Sequence, residues 1–137
     1  MANLSTYLES ALLNHVLVNS AYSSPAAVYC GLVSSDAVDA DLEAGSLDDE
    51  IGSYTGDRPE IDFGSAAQVD GAATSKNTAV LDFEAMPACT VKYAIVCDSA
   101  TRGAGNILYW CPLATPRVVG SGDTFRVAID SLVCDLD

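Results

Sequence analysis

The run "TVKYAIVCDSATRGAGNILYWCPL", residues 90–113, decides the fold. Its first part, "TVKYAIVCD", places Val91, Tyr93, Ile95 and Cys97 on one face and Lys92 on the other. That period of two marks a strand with one buried face. Its last part, "NILYWCPL", is apolar on both sides, as a strand covered on two faces is. Between them "DSATRGAGN" (98–106) is rich in Gly, Ser and Asn. It predicts a hairpin, because glycine accepts the positive φ of tight turns without a steric penalty.

The same period extends outward. "AVYCGLVS" alternates Val28, Cys30 and Leu32 against Tyr29, Gly31 and Val33. "PEIDF" shows Ile61 and Phe63, and "NTAVLDF" sets Ala79, Leu81 and Phe83 on one face. "DTFRVAIDSLVCDLD" carries Phe125, Val127 and Ile129, then Leu132, Cys134 and Leu136, and "GSGD" (120–123) precedes it as a turn. Short strands with no helices between them predict a mainly β chain, an antiparallel, jelly-roll-like β-sandwich. Residues 36–57 and 64–77 have few apolar anchors and read as long loops, which in a small domain usually meet a partner.

One helix is expected, at about 4–18. Leu4, Tyr7, Leu8, Ala11, Leu12, His15 and Val16 recur at steps of three and four, forming one amphipathic stripe. Asn3 or Ser5 can cap its first turn, and it should end near Asn19. Such a short helix must bury its stripe against something. Leu4, Tyr7, Leu8 and Leu12 are therefore the candidate interface residues, and His15 reads as a packed or interfacial side chain rather than a ligand.

The 137 residues suit a single domain spanning 1–137, and half of them are hydrophobic, which argues against disorder. Net charge is −13, and nine acids precede the first basic residue, Arg58. Phosphate neutralisation needs cations, so no nucleic-acid or anionic-membrane partner is expected. No apolar run approaches the roughly 20 residues that span a bilayer. "MANLSTYLES" has no basic region followed by an apolar one, so no secretory signal is expected and assembly in a cytoplasm is. The five cysteines, Cys30, Cys89, Cys97, Cys111 and Cys134, contain no CxxC pair and read as reduced thiols that pack as small apolar groups.

Hydrolase, metalloprotease and phosphate-loop motifs are missing from the sequence, so no catalytic residues and no cofactor are expected. "DADLEAGSLDDE" (39–50) raises a metal question. Counted as a calcium loop, it puts Asp39, Asp41 and Glu43 at positions 1, 3 and 5, and Glu50 at position 12. Position 6 should be glycine and is Ala44, with Gly45 one residue late, and position 8 is Ser46 rather than apolar. These four carboxylates remain candidates only for weak cation binding. The plainer reading is a solvated acidic loop, extended by self-repulsion until a partner neutralises it.

Several pieces in order resemble a family of small virion structural proteins of tailed bacteriophages, of the head-decoration (cement) or tail-fibre-like type. They are "LSTYLESALLNHVL", "PAAVYCGLVSSD", then Gly52, Tyr54 and Arg58, "TSKNTAVLDF", "YAIVCDSATRGAGNILYW", "PLATP", "SGDTF" and "CDLD". The resemblance implies a subunit of the virion with no catalytic role. The expectation is a capsid decoration protein that bridges and stabilises the major capsid protein, and a homotrimer, because closed symmetry is common and icosahedral shells offer many three-fold and quasi-three-fold positions. The alternative is a tail-fibre or baseplate module that binds a host receptor. Exposed Trp110, Tyr54 or Tyr109 would serve that alternative as stacking platforms, whereas core packing is their ordinary use.

Overall fold

A computed structural model describes residues 2–136; Met1 and Asp137, the last residue of "CDLD", lie outside the described residues. The strands are β1 (Asn3–Leu4), β2 (Tyr29–Ser34), β3 (Ala67–Val69), β4 (Ala72–Lys76), β5 (Leu81–Phe83), β6 (Cys89–Cys97), β7 (Ile107–Val119), β8 (Phe125–Val127) and β9 (Val133–Leu136). The helices are α1 (Thr6–Leu17) and α2 (Asp39–Glu43).

The 90–113 hairpin is the centre of the fold. β6 and β7 pair antiparallel, and β1 and β2 flank them in the order β1-β7-β6-β2. One face of this sheet carries Cys30, Leu32, Val91, Ala94 and Val96, which pack with Ile61, Leu81, Phe83, Leu132 and Cys134. Those partners come from two small antiparallel sheets, β5-β8 and β3-β4-β9, from the segment before them (Ile61) and from the β8–β9 connection (Leu132). The other face carries Val33, Tyr93, Ile95, Cys97, Ile107 and Trp110 beneath Ala37 and Leu42. The chain is mainly β and antiparallel, with sandwich-like layers, the second layer being split into two pieces.

The strand 90–98 departs from simple alternation. Val91 pairs with Arg117 but Tyr93 pairs with Pro112, so Lys92 stands opposite residues 113–116. Against β2, Val33 pairs with Tyr93 but Ser34 pairs with Val91, so Lys92 is an extra residue on β6 and Val91 lies on the face opposite Tyr93, Ile95 and Cys97. An inserted residue shifts every later side chain to the other face. Pro112 and Pro116, which have no N–H to give to a ladder, lie at the surplus stretch of β7.

Residues 64–77 are not a plain loop. They contain the β3–β4 hairpin, turned at Asp70 (φ 50°) and Gly71 (φ 91°). Two successive positive φ angles make a type I′ turn, for which Asp-Gly is a preferred pair. The run 123–137 splits into β8 and β9, with Asp130 at φ 62° between them. "PEIDF" forms no ladder of its own, although Cys30 N–H donates to the Pro59 carbonyl (2.9 Å) and Ile61 N–H to Val28 (2.8 Å).

The buried Asn77 holds the corner between the small sheets. Its side-chain amide donates to the Ala79 and Ala128 carbonyls, both at 2.9 Å, and its side-chain oxygen accepts from Leu132 N–H at 2.8 Å. A buried amide with all these partners fixes three segments at once.

The helix begins later than the stripe suggests. Ser5 is the N-cap: its Oγ accepts from Leu8 N–H at 3.3 Å and donates to the Ile107 carbonyl. Leu4 is therefore a strand residue, paired with Tyr109, and not a member of the helical face. Leu8 is buried, Leu12 half-buried and Tyr7 exposed. The helix stops at Asn19, whose φ of 58° suits the left-handed residue that closes a helix. His15 is exposed, and its Nδ1 accepts from Tyr22 N–H at 3.1 Å.

Candidate functional site

The acidic segment is folded rather than extended. Burial of Leu42 pins α2 to the sheet, and the Asp41 carboxylate accepts from Val38 N–H (3.0 Å) at the start of the helix. Tyr93 donates its hydroxyl to Asp39 (2.6 Å), and Trp110 donates Nε1–H to Glu43 (3.0 Å). Glu43 also accepts from the Thr6 hydroxyl (3.3 Å), which links α2 to α1.

Glu50 has the strongest role. Its two oxygens face Arg58 Nε (2.6 Å) and an Arg58 terminal nitrogen (2.7 Å), with side-chain exposures of 2% for Glu50 and 0% for Arg58. The other terminal nitrogen of Arg58 donates to the Ser99 (2.8 Å) and Ala104 (2.9 Å) carbonyls. Gly103 N–H donates to Glu50 at 2.7 Å. Burial is the largest influence and works against the arginine charge, but the Glu50 hydrogen bond and the surrounding coulombic contributions together outweigh it and raise the Arg58 pKa. This bidentate pair therefore ties the acidic segment to the tip of the central hairpin.

Close packing surrounds the pair. A Cβ on Gly31 would lie 2.8 Å from a Glu50 carboxylate oxygen and 2.9 Å from Ile95, so any larger residue there would have to displace one of these side chains. Arg102 lies over the Tyr54 ring (4.6 Å) and donates to the Tyr54 carbonyl (2.8 Å). The Tyr54 hydroxyl is buried without a protein partner among the described residues, and burial pushes its pKa up to about 12.

The four sequence-nominated carboxylates thus do not converge. Asp39, Asp41, Glu43 and Glu50 serve a tyrosine, a helix start, a tryptophan and an arginine in turn. Among the described residues no three His, Cys, Asp or Glu side chains gather as a metal site would require. The nominated aromatics are equally occupied: Trp110 and Tyr54 are buried, and Tyr109 is half-buried. Burial pushes the Cys97 and Cys134 thiols up to about 12 and the Cys30 thiol higher still. A nucleophilic thiol needs the opposite shift.

The interface nominations divide. Leu4, Leu8 and Leu12 are wholly or partly covered by the chain's own sheet, and only Tyr7 is open. Sequence reasoning missed the Glu50–Arg58 pair and Asn77. Arg58, the first cation after nine acids, was the one signal that a carboxylate partner was near. Among the described residues no helix is long and apolar enough to cross a membrane.

Two concavities stand out among the described residues. An apolar one of about 290 Å³ lies among Val28, Phe63, Ala73, Leu108, Tyr109 and Cys134. A groove of about 780 Å³ lies between the outer half of β7 and β8, with Arg117, Asp123 and Arg126 on it. Each polar centre described above joins one part of the chain to another, as expected of a structural subunit.

No curated protein matches this chain. Residues 3–135 match the family described as Podophage GP4 fiber I protein gp80, which spans nearly the whole sequence in one piece. A match of that extent, on a β-rich chain whose polar groups tie its own segments together, places this protein in the Podophage GP4 fiber I protein gp80 family of phage virion structural proteins.

Proposed function

We propose that the chain is a tail-fibre module of a phage virion, assembled as a homotrimer and attached to neighbouring tail proteins. It acts as a rigid building block, without a cofactor and without a catalytic step. The observation that carries this reading is the match to a fibre family over residues 3–135. It favours the fibre alternative over capsid decoration. The internal ties support the same role: the Glu50–Arg58 pair and the Asn77 corner lock the segments against one another, as a load-transmitting part requires. Receptor binding by stacking on Trp110 or Tyr54 is not part of the proposal, since both rings are buried.

Quantitative mass spectrometry on separated heads and tails tests it. The reading expects the chain in the tail fraction, in a copy number divisible by three. Recovery with the heads, at a copy number that scales with capsid subunits, would return the protein to capsid decoration.

A further inference from the structure

Helix α1 carries two apolar stripes, and the fold covers one. Leu8 is buried and Ala11 and Leu12 are half-buried on the side that meets β7. At about 100° per residue, Leu13 and Leu17 fall on the opposite side, with Val16 between the two stripes. Leu13, Val16 and Leu17 are 59%, 73% and 75% exposed, and Val18 just beyond is 68% exposed. Their i, i+3, i+4 spacing makes a continuous apolar surface. The helix has 12 residues, too few to hold in water without packing, and its second half has little packing of its own.

Charge indicates what covers this stripe. Residues 13–21 are all exposed and, with the rest of 10–35, contain no Asp, Glu, Lys or Arg, in a chain of net charge −13; Glu9, one turn before Leu13 on the same side of the helix, marks the edge of this surface. Two copies repel wherever their acidic surfaces face each other, because like charges brought together cost several kcal/mol. The far end of α1, beyond Glu9, is where copies approach with the least of that cost. A basic partner would instead be drawn to the acidic surfaces and would gain nothing electrostatic here. We propose that Leu13, Val16, Leu17 and Val18 form the contact between copies of this chain, packed around a shared symmetry axis. This rests on the reading of the chain as an oligomeric fibre subunit. It moves the contact from Leu4, Leu8 and Leu12, which the fold already uses, to the other side and far end of the helix.

Size-exclusion chromatography with light scattering tests it, on the full chain and on the L13E/L17E double variant. The wild type should run as a trimer, and the variant should lose roughly two-thirds of that mass while keeping the wild-type circular dichroism spectrum. Raising the salt should preserve or strengthen the wild-type association, since it screens only the repulsion between copies. A folded variant that stays oligomeric overturns the assignment of this stripe but leaves the fibre reading in place. A wild type that stays monomeric at high concentration overturns both this contact and the homotrimer, whereas location in the tail is tested separately on virions. If L13E/L17E does not fold, hydrogen exchange on the wild type decides. Amides of residues 13–18 should gain protection as protein concentration rises, and concentration-independent exchange overturns the proposal.

Discussion

Replacing Glu50 with alanine should be among the most damaging single changes in the molecule. The substitution removes both oxygens that hold Arg58 and leaves a guanidinium at 0% exposure with only the Ser99 and Ala104 carbonyls. Gly103 N–H loses its acceptor as well. Breaking a buried ion pair from one side costs about 3–5 kcal/mol, because the remaining charge stays out of water. With 137 residues and about 2.1 cal/mol/K of unfolding entropy per residue, that loss lowers Tm by about 10–17 °C. Near-UV circular dichroism melts at neutral pH measure it, with D82A as the control. Asp82 and Arg126 form an equally short pair (2.7 Å), but it is open to solvent and should contribute little. The double variant E50L/R58L should lose less than the sum of the two single variants, since neither charge is left alone. If E50A melts within about 3 °C of wild type, less than 1 kcal/mol is at stake and the pair does not anchor the acidic segment.

Further outcomes follow from other sites. N77A should cost about 3 kcal/mol by stranding the Ala79 and Ala128 carbonyls and Leu132 N–H; urea unfolding checks it, and a loss under 1 kcal/mol would remove Asn77 from the account. Stability should be level from about pH 7 to pH 9 and fall between pH 9 and 12. There the folded chain keeps protons on Cys30, Cys97 and Cys134 that unfolded thiols, with an ordinary pKa near 9.0, give up. Each thiol contributes a slope of about 1.4 kcal/mol per pH unit, and urea titrations at several pH values measure the sum. A stability that rises over that range would contradict the burial of the thiols. EDTA should leave the melting curve unmoved, because Asp39, Glu43 and Glu50 are committed to Tyr93, Trp110 and Arg58; a Tm that calcium raises and EDTA lowers would reopen the metal reading.

The parts of this fold that were legible in the sequence are those set by neighbours along the chain. The hairpin at 98–106 follows from its glycines, and Asp98 closes it by accepting from Asn106 N–H at 2.7 Å. The start of α1 follows from Ser5, and the strand period located β2, β6 and the inner half of β7. What was not legible depends on contacts across the fold. The Val91 side chain changes face because β6 carries an extra residue, Lys92, where it pairs with β2. Glu50 reads as one carboxylate among many until the hairpin tip brings carbonyls and Gly103 N–H around its arginine.

The candidate site shows the same division. Acid spacing nominated Asp39, Asp41, Glu43 and Glu50 together, but spacing along the chain does not say which side chain each will meet. The β3–β4 hairpin was readable in principle, since Asp70-Gly71 is a hairpin signal, but its flanks are alanines and polar residues with little alternation. For α1, periodicity identified an apolar face without saying which of two faces the sheet would take. The covered residues, Leu8 and Leu12, are set by the Ser5 anchor to Ile107, which fixes the rotation of the helix over β7.

The central claim is that this domain is built into the tail as a fibre subunit. Cryo-electron microscopy of intact virions, with the tail reconstructed separately from the head, tests it most directly. The account predicts density on the tail that accepts the β1-β7-β6-β2 sheet with the β5-β8 and β3-β4-β9 sheets on one face, repeated about a three-fold axis. Density for this fold at the three-fold and quasi-three-fold positions of the head, and none on the tail, would contradict it.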